Sequence, residues 1–107
     1  MMNRIPKQKE IPLTKAAALV SDGDQVVMGA GMEKSPMALL RELVRQGRKN
    51  LRLAGVVGGA VNLDFLCGAG SAVTVDTCSV TLGAFARTGP NFKRMVEEGE
   101  LRPLDNT

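Results

Sequence analysis

Short apolar runs alternate with helical patterns along this chain, and that alternation constrains the fold more than any other feature. The runs are QVVMG at 25–29, NLRLAGVV at 50–57, SAVTVDT at 71–77 and ELRPL at 100–104. Between them lie PMALLRELVRQG at 36–47, VNLDFLCGAG at 61–70 and PNFKRMVEEG at 90–99. Strands alternating with helices imply right-handed βαβ units and a parallel sheet. Val26, Val27 and Met28 are apolar without alternation, which suits a strand covered on both faces. The expected fold class is therefore α/β: a small, open, mostly parallel sheet of about four strands with helices on both faces, Rossmann-like. Residues 1–12, with Pro6 and Pro12, read as an extended N-terminal arm. Residues 13–107 read as a single α/β domain.

The helix boundaries follow from local chemistry. Thr14 is a suitable N-cap for KAAALV, and Gly23 in SDGD can take a left-handed turn before the first strand. Ser35 is placed to cap the next helix, with Pro36 at its first position and Gly47 as its stop. Met37, Leu40 and Val44 fall on one face, widened by Leu39 and Leu43. The third helix is expected to be capped by Asn62 and stopped at Gly68. The last is expected to open on Pro90 and stop at Gly99. CSVTLGAFARTG at 78–89 reads as a loop with a short strand or turn. The sheet edges of so small a domain would be exposed, so either the chain pairs with another copy or subunit, or it is a shortened version of a larger domain.

Composition removes several chemistries. There is no histidine, so no Ser-His-Asp, Cys-His or His-ligated zinc site can be built from this chain. The formal net charge is +3 and aromatics are 3 %, which supplies neither the basic footprint nor the stacking platforms of a nucleic-acid binder. MMNRIPKQKE is polar, and no apolar run reaches membrane-spanning length, so a cytoplasmic protein is expected. Cys67 and Cys78 have no metal-ligand spacing and read as free buried thiols. Met28, Met32, Met37 and Met95 read as core filler.

The loop GAGMEKS follows the first strand. In an open parallel sheet, ligands bind beyond the carboxyl ends of the strands. Glycine there lets backbone approach a ligand, and the next helix offers N–H donors to an anion. Gly29, Ala30, Gly31, Met32 and Ser35 are candidate binding positions, with Gly58 and Gly59 after the second strand and Gly83 further on. The spacing is neither a dinucleotide fingerprint nor a P-loop. A plain strand-to-helix turn explains any single glycine as well. Three small-residue loops at one sheet edge suit a long, thin ligand. Arg41, Arg45, Arg48, Lys49 and Arg52 form a basic cluster that could grip phosphate, but cations at a helix carboxyl end are the usual dipole complement. Asp64 and Asp76 suit capping or turn roles.

The stretch DGDQVVMGAGMEKSPMAL, then NLRL, a Gly-Gly turn and the later VTVDTC and NFKRMVEEGEL segments, resembles the amino-terminal half of the alpha subunit of family I coenzyme A transferases, in the glutaconate-type branch. Asp22-Gly23, Val26-Val27-Met28, Gly29 and Pro36 match the family's alpha-subunit signature, and Ala30-Gly31 stand where it has Gly-Phe. The resemblance implies an alpha-type subunit or fragment that contributes to acyl-CoA and carboxylate binding, with coenzyme A as substrate and no permanently bound cofactor. It implies a beta-type partner that supplies a glutamate nucleophile from a Ser-Glu-Asn-Gly motif, which this sequence lacks. No catalytic residue is then expected here. Glu33, Glu42, Glu97, Glu98 and Glu100 read as solvated charges. Two alternatives stand beside it: a non-catalytic, self-associating remnant acting as a binding or scaffold module, and a sugar-phosphate-isomerase-like protein.

Overall fold

In the computed structural model, residues 10–29, 35–56 and 58–104 are described. Along the chain they form α1 (Leu13–Ala18), β1 (Gln25–Met28), α2 (Met37–Arg45), β2 (Leu51–Gly55), α3 (Val61–Gly68), β3 (Ala72–Asp76), α4 (Pro90–Glu97) and β4 (Arg102–Leu104). The four strands form one sheet in the order β1-β2-β3-β4, and every neighbouring pair is parallel. The α/β class, the parallel sheet and the strand count match the reading from sequence. Of the arm expected over 1–12, residues 1–9 lie outside the described residues.

A sequential strand order has a consequence for the layers. Right-handed crossovers between successive neighbours put α2, α3 and α4 on the same face of the sheet. Side-chain burial agrees. Leu53 and Val75 face the helices and are 1 % exposed, whereas Val27 on the opposite face is 59 % exposed. α1 packs on α2, where the Gln46 side chain donates to the Thr14 carbonyl at 3.0 Å. Strand order, which no local pattern encodes, decides the side each crossover takes.

The core lies between sheet and helices. Leu40 and Leu43 of α2, Leu63, Leu66 and Cys67 of α3, and Met95 of α4 meet Met28, Leu51, Leu53 and Val75. Burying each leucine stabilises the fold by about 1.5–3 kcal/mol relative to exposure. With few aromatics, helix and sheet are joined by aliphatic side chains.

Three helices end in the same device. Gly47, Gly70 and Gly99 have φ of +77°, +72° and +77°. The N–H after each glycine reaches back to the helix: Arg48 to Leu43 at 3.0 Å, Ser71 to Leu66 at 3.1 Å, and Glu100 to Met95 at 2.9 Å. Each glycine N–H also reaches back, to Val44, Cys67 and Val96. These are Schellman motifs, in which glycine takes the left-handed conformation without steric strain. Gly47 and Gly99 stop their helices as expected. Gly68 does not; α3 runs through it and Gly70 is the stop. Gly68 serves packing instead, since a Cβ there would lie 2.6 Å from the Asn91 side chain of α4.

The helix starts differ from expectation. α1 begins at Leu13, ahead of Thr14, with the Pro12 carbonyl accepting the N–H groups of Lys15 and Ala16. α2 begins at Met37 with Pro36, not Ser35, in the capping position. Pro90 opens α4 as read. Its first turn is capped from another helix: Asp64, buried in α3, accepts the Phe92 N–H at 2.8 Å and the Asn91 side-chain amide at 3.0 Å. A carboxylate at a helix N-terminus satisfies orphan N–H groups and complements the helix dipole.

Candidate functional site

Parallel strands bring their connecting loops out at one end. The carboxyl ends of β1, β2 and β3 release the segments beginning at Gly29, Val56 and Thr77. Of the sequence-read binding positions, Gly29, Ser35, Gly58 and Gly59 are described, and Ala30, Gly31 and Met32 lie outside the described residues, as do Glu33 and Lys34.

The first two loops are tied by Asn62, which is 1 % exposed. Its side-chain oxygen accepts the Ala60 N–H at 3.0 Å and the Leu63 N–H at 2.7 Å. Its amide donates to the Gly29 carbonyl at 3.3 Å. One side chain thus uses three of its four hydrogen-bonding positions to hold the exit of β1 beside the entrance of α3. The sequence reading had Asn62 as a simple cap. Its tie to Gly29 spans 33 residues, and no local signal marks it.

The second and third loops are laced by backbone. Gly59 forms a parallel bridge with Val80, through Gly59 N–H to the Ser79 carbonyl at 2.7 Å and Thr81 N–H to the Gly59 carbonyl at 3.1 Å. The Thr77 hydroxyl donates towards the carbonyls of Gly55 at 3.4 Å and Ser79 at 3.3 Å. The turn beyond is closed by Leu82 N–H to the Ala86 carbonyl, with Gly83 at φ +64°, and it presents Phe85 to solvent.

The glycines here do different work. A Cβ on Gly59 would sit 2.3 Å from Leu63 Cδ1, so α3 packs directly on that backbone. On Gly58 the nearest contact would be 3.4 Å, to the Ser79 hydroxyl. On Gly29 a Cβ would meet nothing within 4 Å, and Gly29 is not among the glycines of positive φ. Its surroundings among the described residues therefore do not require glycine, and space stands open beside an exposed strand end.

The basic cluster lies at the other end of the sheet. α2 runs back towards the start of β2, which carries Arg45, Arg48 and Lys49 to the amino ends of the strands. Arg45 pairs with Glu42 through two guanidinium contacts. Arg48 donates to the Val20 carbonyl, and Arg52 to the Gly23 carbonyl at 3.2 Å. These arginines tie α2 and β2 to the turn before β1. They share no site with the glycine loops.

Glu42 corrects another expectation. It is buried at 7 % exposure, and the Arg45 guanidinium and then the Gln46 amide hold its carboxyl below the usual range. Glu97 and Glu98 do read as surface charges, in i,i+4 pairs with Lys93 and Arg94. The cysteines differ from each other. Cys67 is buried, and burial, helped by the Asp64 charge, pushes its thiol up to about 12. Cys78, expected buried, is exposed at the carboxyl end of the sheet. Among the described residues no group of three or more Cys, Asp or Glu could hold a metal, and no helix is long and apolar enough to cross a membrane.

Known proteins agree with this architecture. A family model described as coenzyme A transferase matches residues 11–104. The glutaconate coenzyme A-transferase of Acidaminococcus fermentans superposes with a TM-score of 0.76 at 26 % identity, over 91 % of this chain and 31 % of that one. A variant of the decarboxylase AibA/AibB superposes with a TM-score of 0.74, also at 26 % identity, over 91 % of this chain and 38 % of that one. The chain therefore spans about a third of the length of each of these structures. A search of curated proteins gave no match.

Proposed function

The chain belongs to the coenzyme A transferase family, and from that premise we propose that it is an alpha-type subunit or portion whose glycine-lined crevice binds an acyl-CoA or its carboxylic acid. The observation that supports this most directly is the pairing at Gly29 of open space with a fixed backbone. Asn62 holds the Gly29 carbonyl, and among the described residues no atom lies within 4 Å of where a Gly29 Cβ would sit. A side chain there would narrow the crevice without disturbing the described fold, and an absent side chain admits the thin pantetheine arm of CoA. Gly29 and Ser35 line one side in this reading, and Ala30, Gly31 and Met32, outside the described residues, are proposed as binding positions with them. Gly58 and Gly59 form the floor, set by the bridge to Val80.

Backbone N–H groups of these loops hold the thioester carbonyl and favour negative charge developing on its oxygen. Among the described residues Glu42, Glu97 and Glu98 are engaged on helices, and Asp64 caps α4. The reaction of the assembled enzyme exchanges CoA between an acyl-CoA and a free acid, with the attacking glutamate supplied by a beta-type partner. Two free thiols suit a reducing cytoplasm.

Calorimetric titration with CoA tests the reading. The chain should bind CoA, and Gly29→Val should weaken binding by about tenfold or more while the unfolding midpoint stays unchanged. Absence of CoA binding, or equal binding by the variant, would reject it. The alternative, a non-catalytic, self-associating binding or scaffold module, predicts a folded chain with no CoA affinity.

A further inference from the structure

Three consecutive residues of α3 each hold a different loop at the carboxyl end of the sheet. Asn62 fixes the first through the Gly29 carbonyl. Leu63 packs on the second, where a Cβ on Gly59 would lie 2.3 Å from its Cδ1. Asp64 holds the third at its far end. That loop leaves β3 at Thr77, pairs with Gly59 through Val80 and returns into α4 at Pro90. Gly89, just before the helix, donates its N–H to the Val80 carbonyl at 2.8 Å. The Phe92 N–H and the Asn91 side-chain amide then end on the Asp64 carboxylate. Two glycines allow that contact. A Cβ on Gly89 would lie 2.3 Å from Asp64 Oδ1, and one on Gly68 would lie 2.6 Å from the Asn91 side chain. Neither glycine has a positive φ, so close approach requires them, not backbone conformation. Asp64 is 4 % exposed and joins no ion pair among the described residues. A buried carboxylate without a cation is costly unless hydrogen bonds replace its water. An exposed Ser or Asn just before α4 would cap that helix without burying a charge. The buried carboxylate does what a local cap cannot: it joins α3 to the returning end of the loop.

We propose that Asp64 is a positioning residue for the acyl-CoA crevice, acting on the ligand through residues 77–89, whose return into α4 it clamps to α3. The inference rests on the CoA reading above and adds a residue to it. Asp64 fixes the start of α4, the Gly89–Val80 hydrogen bond carries that constraint to Val80, and the bridge carries it to Gly59 on the crevice floor. A loop held only at its Gly59 end opens at the other. A ligand that must first re-order such a loop binds more weakly. A cap that served α4 alone would change stability and leave the affinity of the folded chain for CoA as it was, so coupling to the ligand separates the two roles.

Calorimetric titration of the whole chain with CoA, well below the unfolding midpoint, compares wild type, Asp64→Ala, Asp64→Asn and Glu42→Gln. Asp64→Ala removes both acceptor oxygens and should weaken CoA binding by about tenfold, the factor expected of a loop ordered about a tenth of the time. Asp64→Asn keeps an acceptor for the Phe92 N–H and should recover most of that affinity. Glu42→Gln weakens the Arg45 contact on α2, outside the three loops, and should lower stability with CoA affinity unchanged. Hydrogen exchange without CoA should quicken at Gly89 and Phe92 in Asp64→Ala and stay as it was at Gly29. If Asp64→Ala does not fold, Asn91→Ala removes one of the two bonds and should weaken binding by about threefold. Equal CoA binding by wild type and the loss variant, no recovery in Asp64→Asn, an equal loss in Glu42→Gln, or unchanged exchange at Gly89 would each overturn the proposal and leave the CoA reading standing. Absence of CoA binding by the wild type would overturn that reading and this inference with it.

Discussion

Replacing Asn62 tests whether one buried amide holds the crevice together. Asn62→Ala removes an acceptor from the Ala60 and Leu63 N–H groups and a donor from the Gly29 carbonyl. The two shorter bonds contribute about 1 kcal/mol each and the 3.3 Å bond about 0.5 kcal/mol, giving a loss of about 2.5 kcal/mol. At roughly 4–8 °C per kcal/mol for a domain near this size, the midpoint should fall by about 10 °C or more. Asn62→Asp keeps the acceptor oxygen but sets a second oxygen against the Gly29 carbonyl in a buried site, so it should destabilise at least as much as Asn62→Ala. Urea unfolding followed by circular dichroism gives the stabilities, with the dependence on denaturant unchanged if only the native state is affected. Hydrogen exchange localises the effect. A loss below about 0.5 kcal/mol for Asn62→Ala would refute the reasoning, because buried N–H groups left without partners cost more than that.

Other perturbations follow from the same geometry. Gly59→Ala should destabilise by about 1–3 kcal/mol, through the clash with Leu63, while Gly58→Ala changes stability by less than about 0.5 kcal/mol; urea midpoints of the pair check this. A thiol reagent at pH 8 should label one cysteine quickly, Cys78, and reach Cys67 only on unfolding, which peptide mapping resolves; two fast thiols would contradict the burial of Cys67. Glu42 has a folded pKa lowered from 4.5 by Arg45 and Gln46, so its stabilisation is present above that pH and lost as pH falls through the lowered value. Acid titration of wild type and Glu42→Gln should show the steeper decline in the wild type below about pH 4.5.

Much of the fold was legible because it is written locally. Valine-rich runs marked the strands, and Gly47 and Gly99 marked helix ends whose left-handed geometry only glycine takes easily. What escaped the sequence was long-range. The apolar run Val26-Val27-Met28 suggested a strand covered twice, yet Val27 is exposed, because coverage depends on strand order. Gly68 and Gly70 are equivalent by propensity; their roles separate only when α4 crosses close over Gly68. Asp64 caps a helix 28 residues downstream, and Asn62 grips a carbonyl 33 residues upstream. At the site, the glycines were visible but not their division of labour. Gly59 is demanded by Leu63, whereas Gly29 is left without a steric reason inside the described fold.

The two ends of the sheet offer the sharpest test of the CoA reading. Amide NMR mapping of CoA added to the full chain should move Gly29, Ser35, Gly58 and Gly59 together, leaving Arg45, Arg48 and Lys49 in place. Shifts concentrated on those basic residues at the amino ends of the strands, with the glycine loops unmoved, would contradict it.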